Sequence, residues 1–460
     1  MSIAFMVQFT AYSGAANLQS SINAEAGLGT ASLAAVYAGL IFSNIFLPVL
    51  VIKWLGTKWA ISLSFITYMP YIASQLYPRF YTLIPAGLIV GLGGGPLWCA
   101  KCTYITVLSE YHSKISNIPA EALLARFFGL FFMIFQMNQV WGNLISSIVL
   151  STGDNKAAVT AVNASAIPYV CGANFLPNDD ADDVLLAQPH EKIEMLVGIY
   201  LACMAAAAFI VAVGVDSMKR YDIGRPSSGS GLSGFALLVV TLRLMFHPKQ
   251  LLMVIMNIFV GYQQAYFGAD FTAAFVSCII GTGAVGFVMM TYGLADAIGC
   301  ILTGYIAKFT GRVALICSAT AINTAMFITI LLWRPQAHLS YTLYVFAVIW
   351  GLCDSVWMVQ LNAFVGTLFP GQEEAAYANF RLWESVGYII AYVISPYLRI
   401  SEKTYLLLVM MFVGVFLFFI VEFKESRNRN CLVINNDCDK ESKLKDKSYK
   451  GNDNPAFQNS

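Results

Sequence analysis

Long apolar runs are the feature that most constrains this sequence. Runs of about 17 to 25 residues recur along the chain, and each is long enough to cross the hydrocarbon core of a bilayer as one helix. The 460 residues are 58% hydrophobic and only 12% charged, whereas about a quarter of the residues in a soluble domain are charged. So few charges cannot cover a water-facing surface. The sequence therefore predicts a membrane protein that crosses the bilayer many times.

Twelve such runs can be counted, and they predict an all-α membrane protein. The first run lacks the basic segment and the cleavage pattern of a signal peptide. Because the chain starts almost inside it, we expect a missing N-terminal stretch or a shortened isoform. The predicted spans are 2–21, 32–52, 59–77, 81–108, 123–150, 193–214, 249–269, 282–305, 312–333, 342–366, 378–398 and 403–423.

The distribution of Lys and Arg predicts which loops face the cytosol. With both termini in the cytosol, 20 of the 27 Lys and Arg residues lie on the cytosolic side and six on the outer side, in line with the positive-inside rule. The only Asn-x-Ser/Thr sequence, at Asn163, then falls in the long outer loop 151–192. Glycosylation is expected there. Cys171 is the only cysteine of this loop, so it has no partner within it.

An internal repeat divides the chain into two halves. The sequence "AYSGA" at 11–15 returns as "AYFGA" at 265–269, 254 residues later, and the basic loops that begin at Lys53 and Lys308 are 255 residues apart. Two bundles of six helices in the same orientation match the parallel-repeat plan of the major facilitator fold. The predicted domains are a first bundle (1–214), a cytosolic linker (215–248), a second bundle (249–423) and a disordered cytosolic tail (424–460).

Four ionisable side chains lie inside predicted spans, where such groups face a cavity or a partner. One hypothesis pairs Lys101 of the first half with Asp296 or Asp354 of the second half across a central cavity. Lys101 could instead extend toward the cytosolic surface. The fourth group, Glu384, is a cavity candidate, but it lies three residues after Arg381 and could form a local ion pair with it.

Two further features of the spans leave alternatives open. Tyr12 and Tyr266 occupy equivalent positions of the repeat, so they are paired candidates for the outer wall of the cavity, with ordinary packing as the alternative. The run from Gly91 to Gly95 weakens its helix. It could allow close contact with a neighbouring helix or act as a pivot.

The remaining motifs give weaker indications of function than the ionisable residues of the spans. Asn454, Pro455 and Phe457 form an "NPAF" stretch in the tail, a candidate sorting motif that an adaptor domain could bind as an added strand. Cys99 and Cys102 resemble a redox pair only in spacing, because they lie in an apolar span where cysteine acts as a small hydrophobe. We expect no metal, no cofactor, no nucleic-acid partner and no enzyme activity.

Several strings together resemble one known family. They are "FTAY" with "LQSS" near the start, "LLWRP" at 331–335 and "RLWES" at 381–385. Together these strings resemble the uncoordinated-ninety-three family, and most of all its A-type homologues. The resemblance implies a major-facilitator-like membrane protein, in a family whose members include a regulator of two-pore potassium channels and a trafficking partner of Toll-like receptors.

Three functions therefore remain open at this stage. The first is a regulatory or trafficking subunit of a partner membrane protein such as a potassium channel, in contact with membrane lipid. The second is an active solute transporter with a central cavity. The third is a chaperone of Toll-like receptors. The resemblance to the A-type branch implies the plasma membrane, and an endosomal membrane is the alternative.

Overall fold

The computed structural model describes residues 1–22, 28–116, 118–151, 171–176, 190–221, 236, 239–281, 284–336 and 339–450. Within these residues the regular structure is helical, and ten long helices dominate it. They are α1 (Ser2–Ile22), α2 (Leu28–Ile66), α3 (Phe80–Ser116), α4 (Ala120–Ser151), α5 (His190–Gly214), α6 (Pro248–Ala265), α7 (Val285–Leu332), α8 (Tyr341–Leu368), α9 (Glu373–Ile394) and α10 (Ile400–Lys450).

Two of these helices break at a glycine. Gly56 in α2 has φ 74° and ψ 164°, and Gly311 in α7 has φ 77° and ψ 167°. Glycine adopts this region because it has no Cβ atom. Each break separates two predicted spans, so α2 contains span two and the first part of span three, and α7 contains most of spans eight and nine. The two breaks lie 255 residues apart and have nearly the same geometry, as the predicted repeat requires.

The described chain contains eight stretches that are long and apolar enough to cross a membrane. Two of them are 46 and 48 residues long and contain the two glycine breaks. The helices α1 and α9 coincide with the predicted first and eleventh spans, but neither is among these eight stretches. Both remain predicted spans.

Three helices extend well beyond their predicted ends. The helix α3 was predicted to end at 108 and continues to Ser116. The helix α6 continues as a π-helix, Tyr266–Ser277, and then as a short α-helical turn, Cys278–Ile280. The prediction that span seven ends at 269 is therefore wrong. The helix α10 continues beyond 423 to Lys450, into the segment that the sequence predicts to be disordered.

Glycines allow α2 and α3 to pack with their backbones in contact. A Cβ atom on Gly91 would lie 2.2 Å from the Val36 carbonyl oxygen, and one on Gly95 would lie 2.4 Å from Ser43 Oγ. Small residues at a crossing point let two helices approach this closely. The glycine run in α3 therefore serves close packing, one of the two alternatives that the sequence left open.

Close backbone contact at glycines also joins the two halves. A Cβ atom on Gly129 of α4 would lie 2.6 Å from the Cys300 carbonyl oxygen of α7, and one on Gly304 would lie 2.9 Å from the Ala125 carbonyl oxygen. The helices α4 and α7 thus cross with glycine against glycine. On another part of the contact between the halves, α9 packs against α2 and α3.

A disulfide ties the long loop of the first half to the second half. Cys171 bonds to Cys278, which lies directly after the π-helix. Next to it, the backbone N–H of Ile400 donates to the Phe175 carbonyl oxygen at 3.3 Å. Arg399 also donates to the Asn174 carbonyl oxygen at 3.1 Å. Cys171 therefore finds its partner outside its own loop.

A buried ion pair fixes the π-helix to α10. Lys403 Nζ lies 2.6 Å from Asp270 Oδ1, and Ser395 Oγ donates to the same oxygen at 2.6 Å. The side chains of Lys403 and Asp270 are 0% and 3% exposed. Lys403 is the first residue of predicted span twelve, and the structure buries it inside the bundle. The cation lies inside because its carboxylate partner is buried there.

We expect Gly91→Ala to destabilise the fold, because the added methyl group overlaps the Val36 carbonyl oxygen. Overpacking of this kind costs about 1–3 kcal/mol. The apparent melting temperature of the purified protein in detergent should therefore fall by several degrees. Gly198→Ala is the matched control, because nothing lies within 4 Å of the Cβ position at Gly198. Equal melting temperatures for the two variants would contradict the close packing.

We expect Lys403→Met to be strongly destabilising, because it leaves the Asp270 carboxylate buried without its cation. Removal of one partner of a buried pair costs about 3–5 kcal/mol. Adding Asp270→Asn should recover much of the loss in apparent melting temperature. Arg220→Met serves as the control, because Arg220 and Asp216 form an exposed pair. A double variant as unstable as Lys403→Met would show that packing rather than charge dominates here.

Candidate functional site

The predicted ionisable residues lie where the two halves meet. Lys101 is on α3 of the first half, and Asp296, Asp354 and Glu384 are on α7, α8 and α9 of the second half. The first three are 0% exposed and Glu384 is 6% exposed. These buried charges therefore belong to one region between the halves, which we call the seam.

Lys101 faces aromatic rings and not a carboxylate. Its Nζ atom lies 4.4 Å from the ring centre of Phe131, 4.5 Å from that of Phe132 and 5.1 Å from that of Trp98. Phe128 is next at 5.4 Å. The atom makes no hydrogen bond within the described residues. The predicted pairing of Lys101 with Asp296 or Asp354 is therefore wrong, and cation–π contacts hold the ammonium instead.

The sequence of α4 explains this arrangement. Phe128, Phe131 and Phe132 are spaced at three and four residues, so they share one face of the helix. That face points at Lys101, and its rings surround the ammonium on one side. All three phenylalanines therefore contact the buried cation.

Asp354 is held by neutral donors from two other helices. Tyr292 Oη donates to its Oδ2 atom at 2.6 Å, and Gln264 Nε2 lies 3.2 Å from both carboxylate oxygens. Gln263 also donates to Oδ1, and the Trp350 indole N–H donates to the Gln263 side-chain oxygen at 2.7 Å. Both glutamines immediately precede the repeated "AYFGA" stretch. Their polarity within an apolar span is the signal that sequence reasoning did not use.

Asp296 joins the two halves directly. Gln136 of α4 donates to its Oδ2 atom, and the Cys300 thiol donates to Oδ1 at 3.2 Å from within α7. All three side chains are buried. A buried carboxylate with a donor from the opposite half stabilises the contact between α4 and α7, because separating them would leave it underbonded.

Arg381 and Glu384 form the local pair that their spacing predicted, at 2.6 Å. Arg381 also donates to Asn362 Oδ1 at 3.3 Å, and its guanidinium lies 4.8 Å from the Trp98 ring centre on the first half. Trp98 thus contacts both Arg381 and Lys101. The local pair and the contact with the opposite half exist together.

The two equivalent tyrosines differ in their surroundings. Tyr12 is half-buried, and its ring lies 5.2 Å from that of Tyr68. Tyr266 is fully buried, stacks on Trp350 at 5.8 Å and hydrogen-bonds to Thr404 at 2.7 Å. Tyr266 is therefore part of the core of the second half, and its assignment to the cavity wall is wrong.

Sequence reasoning missed three tyrosines at the seam. Tyr37 of α2 stacks on Tyr388 of α9, with ring centres 4.8 Å apart and planes 16° apart. Tyr392 lies 5.8 Å from Tyr37. The hydroxyl of Tyr388 also donates to the Gln264 side-chain oxygen. The spacing of Tyr388 and Tyr392, four residues apart on one helix face, is the signal that could have indicated them.

Two predicted features lie outside the described residues. One is the glycosylation site at Asn163, and the other is the tail motif of Asn454, Pro455 and Phe457. Both stay predictions from the sequence alone.

Comparisons with known proteins agree with this architecture. A solved structure titled as the major facilitator superfamily proton:xylose symporter XylE matches with a TM-score of 0.59 and 11% sequence identity, over 91% of this chain and 93% of that one. At this identity the likeness shows the fold alone. The chain therefore has the major facilitator fold, although the full count of twelve spans rests on the sequence.

Relatives by sequence identify the family. "Protein unc-93 homolog A" of Xenopus laevis is 38% identical over 430 residues, which cover 92% of both chains. "Putative potassium channel regulatory protein unc-93" of Caenorhabditis elegans is 31% identical over 92% of this chain and 60% of its own length. The family model described as "Ion channel regulatory protein UNC-93" matches residues 19–419. The chain belongs to the UNC-93 family.

Proposed function

We propose that this protein is a non-enzymatic regulatory subunit of a partner membrane protein, namely a two-pore potassium channel. The observation that carries the proposal is the similarity to the nematode protein named as a putative potassium channel regulator, which extends over 92% of this chain. The family model that matches residues 19–419 is likewise described as an ion channel regulatory protein.

Contacts between the halves support a regulatory role. Arg312 of α7 pairs with Glu121 of α4 and, at 2.9 Å, with Glu422 of α10. The Arg312 side chain is 4% exposed. Further along the seam, the hydroxyls of Thr106 and Tyr377 hydrogen-bond at 2.9 Å. A scaffold whose halves are joined in this way can present a fixed surface to a partner without cycling between two states.

We further propose that both termini face the cytosol of the plasma membrane. The excess of Lys and Arg in the predicted cytosolic loops favours this orientation. The disulfide between Cys171 and Cys278 supports it as well. Disulfides persist on the oxidising, extracellular side of a membrane, which is where this orientation places the loop that contains Cys171.

We expect co-expression of the full chain to change the current of a two-pore potassium channel and to allow the two proteins to be purified together. Arg312→Gln should reduce both effects several-fold, because it removes the ion pairs that join α7 to α4 and α10. Whole-cell current, normalised to the surface amount of channel and subunit, is the measurement.

Arg220→Gln is the matched control for this experiment. Its arginine forms an exposed pair with Asp216, and its side chain is 72% exposed, so its removal should leave the current unchanged. Unchanged currents and no co-purification with the native chain would reject channel regulation. Solute uptake in proteoliposomes would favour the transporter, and retention in endosomes with bound Toll-like receptor would favour the chaperone.

The orientation makes a separate prediction for the loop at 151–192. The protein from animal cells should carry one N-linked glycan, which peptide N-glycosidase F removes, and Asn163→Gln should migrate like the deglycosylated protein. Surface labelling of the glycosylated form should succeed in intact cells. A native protein whose migration the enzyme does not change, with Cys171 reactive to a cytosolic thiol reagent, would reverse the orientation.

A further inference from the structure

Three tyrosines from both halves come together at the seam, and we call them the tyrosine cluster: Tyr37, Tyr388 and Tyr392. Tyr37 lies against Tyr388 and Tyr392, with ring centres 4.8 and 5.8 Å away. The cluster therefore connects α2 of the first half with α9 of the second half.

The rings of the cluster are partly accessible. All three side chains are half-buried, although Tyr37 and Tyr388 contact each other across the seam. The hydroxyl of Tyr388 donates to Gln264, which is itself half-buried and binds a buried carboxylate. By contrast Tyr397, beyond the end of α9, is 75% exposed. The cluster thus combines partial accessibility with a connection to buried polar groups.

A carboxyl group without a basic partner lies next to the cluster. Gln264 connects Tyr388 to Asp354, and within the described residues Asp354 and Asp296 are held by neutral hydrogen-bond donors. The two nearby cations, Arg381 and Lys403, each have a carboxylate of their own. Among the described residues the two seam carboxyl groups therefore have no paired cation.

Lys101 does not change this balance at the cluster. Its ammonium lies against Phe131, Phe132 and Trp98, on the side of the seam formed by α3 and α4. The contact also shows that this fold accommodates an ammonium group against aromatic faces. The tyrosine cluster offers similar faces, and within the described part of the chain no lysine or arginine lies over them.

We propose that the tyrosine cluster binds an organic cation, a ligand that carries a quaternary or tertiary ammonium group. The ring faces attract the cation through their quadrupoles, and the tyrosine hydroxyls and Gln264 accept or donate hydrogen bonds to polar parts of the ligand. The Asp354 carboxyl group lies behind Gln264, and a bound cation stabilises its ionised form. Ligand contacts with both α2 and α9 connect the two halves. The site is independent of the proposed channel regulation, so either proposal can fail alone.

Binding of small ammonium probes to the purified full chain in nanodiscs tests the site. Choline and tetraethylammonium should bind in isothermal titration calorimetry, and 3,3-dimethyl-1-butanol, the uncharged analogue of choline, should bind much more weakly. Tyr37→Leu should weaken choline binding by about two- to thirtyfold, because it removes one aromatic face. Tyr37→Phe should keep most of the affinity, because the ring remains.

Two more variants distinguish the effect of the Asp354 carboxyl group on binding from any general effect on folding. Asp354→Asn keeps the size of the side chain and should weaken choline binding more than it weakens binding of the uncharged analogue. Tyr397→Leu removes an exposed tyrosine away from the cluster and should leave binding unchanged. Each variant is first compared with the native protein by melting temperature. Equal binding of choline and its uncharged analogue, no binding of either ammonium probe, or full affinity in well-folded Tyr37→Leu would overturn the proposal.

Discussion

The cost of a buried charge determines how the two halves of this protein meet. A charged or polar group inside a bundle of apolar helices must find its partner within the protein. The partners of the buried groups differ in kind. Asp296 accepts a hydrogen bond from the opposite half. Arg381 pairs with a neighbouring carboxylate and lies against the Trp98 ring, whereas Lys101 contacts aromatic rings alone. Because several of these contacts use residues of both halves, satisfying the charges also joins the halves.

Close helix contact makes these partnerships possible. Gln136 reaches Asp296 because α4 and α7 cross with Gly129 against Gly304, and larger side chains at the crossing would separate the two backbones. The polar contact and the glycine contact therefore depend on each other. In a membrane, where lipid competes well for apolar surface, small residues and hydrogen bonds between helices carry much of the specificity of packing.

The sequence predicted the features that depend on the order of residues along one helix. The basic loops at Lys53 and Lys308 indicated the repeat, and the structure places a glycine break of the same geometry after each of them. The pair of Arg381 and Glu384 followed from their spacing alone. Features that depend on how one helix is rotated against another were not predictable in this way. Lys101 is the main example, because either rings or carboxylates could have faced it.

Long-range partners and departures from regular geometry were also beyond the sequence. Cys171 bonds to a cysteine 107 residues away, and nothing in its own loop indicates that partner. The π-helix at Tyr266–Ser277 changes which residues share a face, so Asp270 meets Lys403 of α10 inside the bundle.

The two copies of the repeated stretch have different surroundings in the structure. The "AYSGA" copy leaves Tyr12 half-buried, whereas the "AYFGA" copy buries Tyr266 and begins a π-helix with a buried ion pair. π-helical turns occur often at functional sites. The second half contains the two seam carboxylates, the glutamines that bind Asp354 and the disulfide anchor Cys278, while the first half contributes aromatic faces and Lys101. The first half contributes one ring of the tyrosine cluster and the second half contributes two rings and the carboxyl group behind Gln264, a combination that favours a cation with apolar groups over an anionic ligand.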